Sequence, residues 1–250
     1  MRDQQMQSNT LIGLVLLTVG AAIAWADTGL DVKASGTKTI YVDSRAGNNQ
    51  VAIASQSSLE DFTVVCNQVQ GECKLDPKAL EKLSGKFSLK VEDMRTGIEL
   101  RDTHLRSADW LDASKYPEVV ITVEKAEEVK KTEANSATMT LVGTCAVHGK
   151  ANPVRIPCTL TYVDESPTTM KRAKGDLLRL RAEFSLKLSD YGITGPAGSD
   201  IVGLKVAEKL DIKSTIFGST EPAAQPLKAD KDAAGTTPAK PKPPQEPGKP

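Results

Sequence analysis

The sequence predicts an all-β fold, an antiparallel barrel or sandwich of about eight strands with one or two short helices. Nine segments between residues 39 and 217 alternate apolar and polar side chains or are rich in β-branched residues. Leu177–Leu188 alternates almost strictly, with Phe184, Leu186 and Leu188 on one face and charged residues on the other. Residues 27 to 220 also fit the size of one all-β domain.

The predicted strands follow one another through the chain with turn residues between them. They are Thr39–Asp43, Gln50–Ser55, Phe62–Cys66, Phe87–Glu92, Glu118–Glu124, Ala137–Ala146, Val154–Val163, Leu177–Leu188 and Val206–Phe217. Asp76–Leu83 is predicted as a short helix, because Asp76 is a suitable N-cap and Pro77 fits the first turn. A second helical segment is predicted from residue 101 to the residue before Pro117, where the helical conformation is disfavoured.

Both ends of the chain differ from this middle part. Residues 1–26 are typical of a secretory signal peptide: the apolar run from Leu11 to Ala24 is shorter than the roughly 20 residues of a spanning helix and leads to small residues suited to cleavage. An uncleaved anchor is the alternative. Residues 221–250, rich in Pro, Ala and Lys, predict a disordered tail. The mature protein is therefore expected to be soluble, without a transmembrane segment, and periplasmic or secreted.

Charge and cysteine content narrow the function classes. The chain has 32 basic and 32 acidic residues, a balance that argues against a nucleic-acid partner. Its four cysteines, in an exported protein, predict structural disulfides, with Cys66–Cys73 and Cys145–Cys158 favoured among three connectivities. The cysteine spacings match no familiar zinc pattern, so no metal is expected. No nucleophile motif accompanies His104 or His148, so no catalytic residue is assigned.

Two stretches resemble the signature of the YceI-like family. Gly97 to Pro117 contains R-D-x-H-L-R-S-x-D-W-L-D-x-x-K-Y-P, nearly residue for residue, and Leu141 to Val154 resembles the family's G-x-L-x-x-H-G-x-x-x-P-V hairpin. The resemblance covers roughly residues 50 to 219. It departs from the family at Cys66 and Val123, where an aromatic residue is common, and only 4% of the chain is aromatic.

The resemblance implies an exported, lipocalin-like barrel that holds a polyprenyl chain or isoprenoid quinone in an apolar lumen and performs no chemistry. No other cofactor is expected, and a homodimer stays open. The alternatives are an envelope interaction protein with a filled core, and an enzyme or metal protein. Candidate lumen or mouth residues are Arg101, His104, Leu105, Arg106, Trp110, Leu111, Tyr116, Ile121, Val123, Phe184, Leu186 and Tyr191.

Overall fold

The computed structural model describes residues 28–222, and the predicted signal peptide and nearly all of the predicted tail lie outside them. Ten antiparallel strands and one helix, α1 (Glu99–Arg106), account for the regular structure, with short 3-10 turns at Val91–Asp93, Thr169–Lys171 and Ser189–Tyr191. The strands are β1 (Lys38–Val42), β2 (Gln50–Gln56), β3 (Asp61–Cys66), β4 (Val69–Asp76), β5 (Ala79–Lys90), β6 (Glu118–Glu133), β7 (Ser136–Val147), β8 (Lys150–Val163), β9 (Leu177–Lys187) and β10 (Lys209–Ser219).

The ten strands close into an eight-stranded barrel because two positions are each shared by two strands. The order is β1-β4-β5-β6-β7-β8-β9-β10-β2-β3, with a further pairing of β1 with β10. Both β1 and β2 pair with the same strand, β10, in the same direction, and β4 and β3 pair with them in turn. Thus β1 and β2 form one interrupted strand and β3 and β4 another. The prediction of an antiparallel barrel is confirmed.

Each predicted strand overlaps an observed one, because the alternation of apolar and polar residues in the sequence matches the two faces of the strand. In β9, Leu178, Leu180 and Ala182 are buried while Arg181 and Glu183 are exposed, which is the period of two that a half-buried strand requires. The sequence interpretation missed β4, whose pattern is broken by Gly71 and by charged residues.

The predicted helix over Asp76–Leu83 is wrong, because this segment is the turn of the β4–β5 hairpin and the start of β5. The Asp76 carboxylate accepts a hydrogen bond from the Lys78 backbone N–H at 2.9 Å, an Asx turn rather than a helix cap. Leu80 and Leu83 are spaced as on a helix, yet both are buried because the register of this hairpin is irregular. The second predicted helix is shorter than expected: α1 ends at Arg106 and turns follow to Pro117.

The barrel interior has a packed half and an open half. In the packed half Leu75, Leu80, Leu83, Leu160 and Tyr162 are at most 1% exposed and belong to one continuous apolar core. The open half is bordered by three smaller apolar clusters. This division positions the candidate site.

Candidate functional site: an apolar cavity in one half of the barrel

A cavity of about 580 Å³ occupies the open half of the barrel. This volume lies within the ~300–1,000 Å³ typical of small-molecule sites. Inward-facing residues of most strands form its wall, since alternation directs every second side chain to the interior. They include Val51, Ile53, Phe62, Val64, Val69, Phe87, Leu89, Val119, Ile121, Cys145, Val147, Phe184, Leu186, Leu210, Ile212 and Ile216.

The floor of the cavity lies where the strands pass into the packed half. On one side it is a cross-strand row: Phe87 of β5 pairs with Ile121 of β6, which pairs with Cys145 of β7. All three line the cavity. Phe184 and Ile216 contribute from β9 and β10, and both also pack on the core below. The cavity is therefore closed at its inner end by apolar side chains.

The mouth is formed by α1, the turns after it and the segment from Leu188 to Val206. Leu100, Arg101, His104 and Leu105 of α1 reach the cavity, and Ile201, Lys205 and Val206 do so from the later segment. Ile98 and Leu100 are 51% and 67% exposed, which leaves apolar surface facing solvent at the opening. The mouth thus combines exposed apolar residues with a few charged ones.

Arg101, a candidate for a ligand head group, is already engaged within the protein. Its guanidinium forms an ion pair with the carboxylate of Glu60. The guanidinium carbon also lies 4.6 Å from the centre of the Phe62 ring, a cation–π contact. The half-buried Arg101 therefore joins α1 to the β2–β3 connection, whereas the ammonium of Lys205 has no ion-pair partner among residues 28–222.

The buried carboxylate of Asp102 holds α1 against the barrel. Its Oδ1 accepts hydrogen bonds from the backbone N–H and the hydroxyl of Thr96, both at 2.6 Å. Burial alone would raise the pKa of Asp102, but these bonds and the charges of Arg106 and Arg95 outweigh it and hold the pKa below its usual value. The helix therefore rests on a charged anchor beneath the mouth.

The thiol and phenol in the cavity wall stay neutral. Burial raises the pKa of the Cys145 thiol. Burial, together with the neighbouring Cys145, raises the pKa of Tyr191 as well. The wall around Cys145 and Tyr191 consequently offers a ligand an uncharged surface.

Nine of the twelve candidate lumen or mouth residues line the cavity, and three do not. The nine are Arg101, His104, Leu105, Trp110, Leu111, Ile121, Phe184, Leu186 and Tyr191. Val123 is buried one step below the floor in the packed half. Arg106, the last residue of α1, instead donates to the Met94 carbonyl at 3.2 Å. Tyr116 packs edge-on against His148, with ring centres 5.0 Å apart.

The sequence interpretation selected wall residues on β6 and β9 but none on β2, β3, β4, β5, β7 or β10, and β10 shows why. Leu210, Ile212, Ser214 and Ile216 alternate along β10 and all line the cavity. This segment was predicted as a strand, and its alternation was the available signal. Which of its two faces is the lumen depends on the neighbouring strands, so the residues could not be selected from the sequence alone.

The two predicted disulfides are not formed, and all four cysteines are buried free thiols. Cys145 pairs with Asn152 and Cys158 with Met139, because the β7–β8 turn is centred on His148 and Gly149. The two cysteines thus lie about 20 Å apart along the hairpin, far beyond the ~7 Å limit between Cα atoms of a disulfide.

The other predicted pair is separated by the interruption between β3 and β4. Cys66 pairs with Val51 of β2, whereas Cys73 pairs with Ile40 of β1. Cys66 belongs to the cluster around Met94, and Cys73 lies in the packed half. Burial raises the pKa of Cys73 to about 12, and that of Cys158 equally, so these thiols are poor nucleophiles.

The two histidines serve separate parts of the molecule. His104 is exposed at the mouth, whereas the Nδ1 of His148 lies 3.4 Å from the Tyr191 carbonyl oxygen. Within residues 28–222, no group of three or more His, Cys, Asp or Glu side chains is arranged to hold a metal ion. None of the helices in the same part of the chain is long and apolar enough to span a membrane.

Comparison with known proteins places this barrel in a family. The model of the YceI-like domain matches residues 42–217. A UPF0312 protein of Pseudomonas putida strain GB-1 is 27% identical over 207 residues, which cover 83% of this chain and 93% of the relative. A UPF0312 protein of Pectobacterium atrosepticum is 29% identical over 138 residues, 54% of this chain and 66% of the relative.

Solved structures share the fold at lower identity. Burkholderia cenocepacia BcnA superposes with a TM-score of 0.54 at 19% identity, covering 70% of this chain and 98% of BcnA. A Campylobacter jejuni YCEI protein gives 0.52 at 17%, with coverages of 66% and 90%. A polyisoprenoid binding domain from Saccharophagus degradans gives 0.52 at 12%, with coverages of 74% and 99%. With its barrel and its matched residues 42–217, the chain belongs to the YceI-like domain family.

Proposed function

We propose that this chain is an exported lipid-binding protein that holds an isoprenoid-type chain, a polyprenyl or a quinone tail, in its cavity and catalyses no reaction. The observation that carries the proposal is the apolar cavity of about 580 Å³, closed at its inner end and open at α1. An elongated apolar molecule would fill this shape, and the polar groups at the mouth would lie beside its head.

The free energy of such binding would come from removing apolar surface from water, roughly 25 cal/mol per Å². Phe184, Leu186 and Ile212 offer aliphatic and aromatic contacts without a buried charge. Most of the lining residues are aliphatic or aromatic, and hydroxyl groups such as that of Ser214 are few among them. This composition supports an apolar chain over a sugar, peptide or nucleotide.

Related structures support the ligand class without establishing it for this chain. The Saccharophagus degradans neighbour is described as binding polyisoprenoid, and it shares the barrel at 12% identity. The predicted signal peptide supports export to the periplasm or medium. The separation of His104 from His148 supports a binding role rather than acid–base catalysis.

Native mass spectrometry of the protein purified from its own envelope would test this function. We expect a mature chain that begins near Asp27, plus one bound lipid that solvent extraction identifies as an isoprenoid. Delipidated protein should regain the adduct when an isoprenoid is offered. A clean apo mass without uptake would contradict the proposal and favour an interaction protein with the same fold.

A further inference from the structure

We propose that the cavity floor limits the inserted part of a ligand to about three isoprene units, and that Phe87, Ile121, Phe184 and Ile216 set this limit. The inference rests on the proposed function and deepens it by naming the chain length that the site accepts. A longer chain would leave its remaining units outside the barrel.

Several long strands change from lining the cavity to filling the barrel, and β9 and β6 show where. On β9, Phe184 and Leu186 line the cavity, whereas Ala182, Leu180 and Leu178 before them are buried in the core. On β6, Ile121 lines the cavity and Val123, the next inward residue, is 3% exposed within the core. The floor is therefore built from several strands and not from one intruding side chain.

Below this layer, packed side chains of the described part of the chain fill the barrel. The next inward position on β10 after Ile216 is Gly218, and a carbon added there would stand 2.6 Å from the Ile40 side chain. Leu160 and Tyr162 fill the middle of the same half with no exposed surface. Interiors packed at this density do not admit a further chain without displacing side chains.

The depth of the cavity follows from β10, the strand that lines it from mouth to floor. Leu210 and Ile216 are the first and last lining residues on this strand. Six residues span roughly 20 Å along a strand, which is about 15 Å along the barrel axis at a tilt of about 40°. An extended isoprene unit has four skeletal bonds of about 1.5 Å and spans about 5 Å, so about three units reach the floor.

A chain that enters beside α1 and runs extended to the closed inner end makes a single pass of the cavity. The exposed Ile98 and Leu100 offer an apolar path on which further units would leave the mouth.

Displacement of a fluorescent apolar probe by prenols of two, three, four and five units would test the limit. We expect affinity to rise by tenfold or more from two to three units, because the third unit buries its whole surface. The fourth and fifth units should add less than about twofold each, since they contact only the rim. A rise of about tenfold per unit through five units would overturn the limit.

A matched pair of variants on β10 tests whether the depth of the cavity sets the length limit. Ser214→Phe places a ring in the lumen about one unit above the floor, whereas Thr215→Phe places the same ring on the outer face of the same strand. In Ser214→Phe the affinity should stop rising at two isoprene units instead of three. In Thr215→Phe it should still rise up to three units. Equal plateaus in both variants would contradict the assignment. If the wild-type protein bound none of the prenols, the proposed function itself would be refuted.

Discussion

At the scale of single residues, the partners of the charged side chains in α1 decide what the mouth can do. Arg101, expected at a ligand head group, is neutralised by Glu60, which lies 41 residues earlier in the chain. Asp102, the next residue along the helix, is buried and anchors it through hydrogen bonds from Thr96. Neighbours in space therefore assign these two adjacent residues opposite roles.

Replacing Asp102 with Ala should destabilise the protein by about 1–3 kcal/mol at pH 7, because the Thr96 N–H and hydroxyl lose their acceptor. Asp102→Asn keeps an acceptor oxygen and is the control that isolates the charge. Urea unfolding of both variants and of the wild type measures the difference. A loss in Asp102→Ala no larger than in Asp102→Asn would contradict the role of the two hydrogen bonds.

The ionised Asp102 should also make stability dependent on pH. Its pKa is lower in the folded protein than the ~3.9 of an unfolded chain, so its contribution is complete above about pH 4. That contribution is lost as the pH falls through the folded-state pKa. The difference in unfolding free energy between wild type and Asp102→Asn should thus be larger at pH 7 than at pH 2.5. An equal difference at both pH values would refute the contribution of the ionised carboxylate.

At the scale of elements, one cross-strand row just below the cavity floor sets how closely β5, β6 and β7 approach. Gly85 pairs with Val123, and Val123 pairs with Gly143. A carbon added at Gly143 would lie 1.9 Å from the Thr122 carbonyl oxygen, and one at Gly85 would lie 2.6 Å from the Cys73 side chain. The two glycines let neighbouring backbone pack tightly beneath the floor.

Gly143→Ala should therefore destabilise the barrel by about 3 kcal/mol, the upper end of the range for overpacked cores, because a backbone atom cannot move aside easily. The control is Gly36→Ala, where nothing lies within 4 Å and only the positive φ costs about 1 kcal/mol. Urea denaturation midpoints compare the two. If Gly143→Ala were as stable as Gly36→Ala, the tight approach would be disproved.

At the scale of the whole molecule, the barrel closes through a seam at which the β1–β2 strand is interrupted. Only Tyr41 and Val42 of β1 pair with β10, and β2 resumes the pairing at Gln50. Between β1 and β2, Phe217 of β10 makes two hydrogen bonds to the connecting segment. Its carbonyl oxygen accepts from the Asp43 N–H at 3.0 Å, and the Phe217 N–H donates to the Asn49 side-chain oxygen at 2.7 Å. A buried side chain thus completes the ladder that the backbone leaves open.

Asn49→Ala should weaken this seam, because the Phe217 N–H would remain buried without an acceptor, at a cost of about 1–3 kcal/mol. Hydrogen–deuterium exchange should accelerate in residues 38–42 and 215–219 and stay slow in β7, every residue of which pairs with β8. Asn48→Ala, at the exposed neighbouring position, should change neither the stability nor the exchange rates. Unchanged exchange in Asn49→Ala would show that the seam does not depend on this side chain.

Local sequence determined the all-β class, nearly all of the strands and the family motif, because alternation and turn residues act within a few positions of one another. Only the tertiary structure decided which face of β10 lines the cavity, that Arg101 meets Glu60, and that Cys145 opposes Asn152 rather than Cys158. It also decided where the lumen ends, since the floor is assembled from β5, β6, β7, β9 and β10. Such pairings depend on strand register and barrel closure, which join residues far apart in the chain.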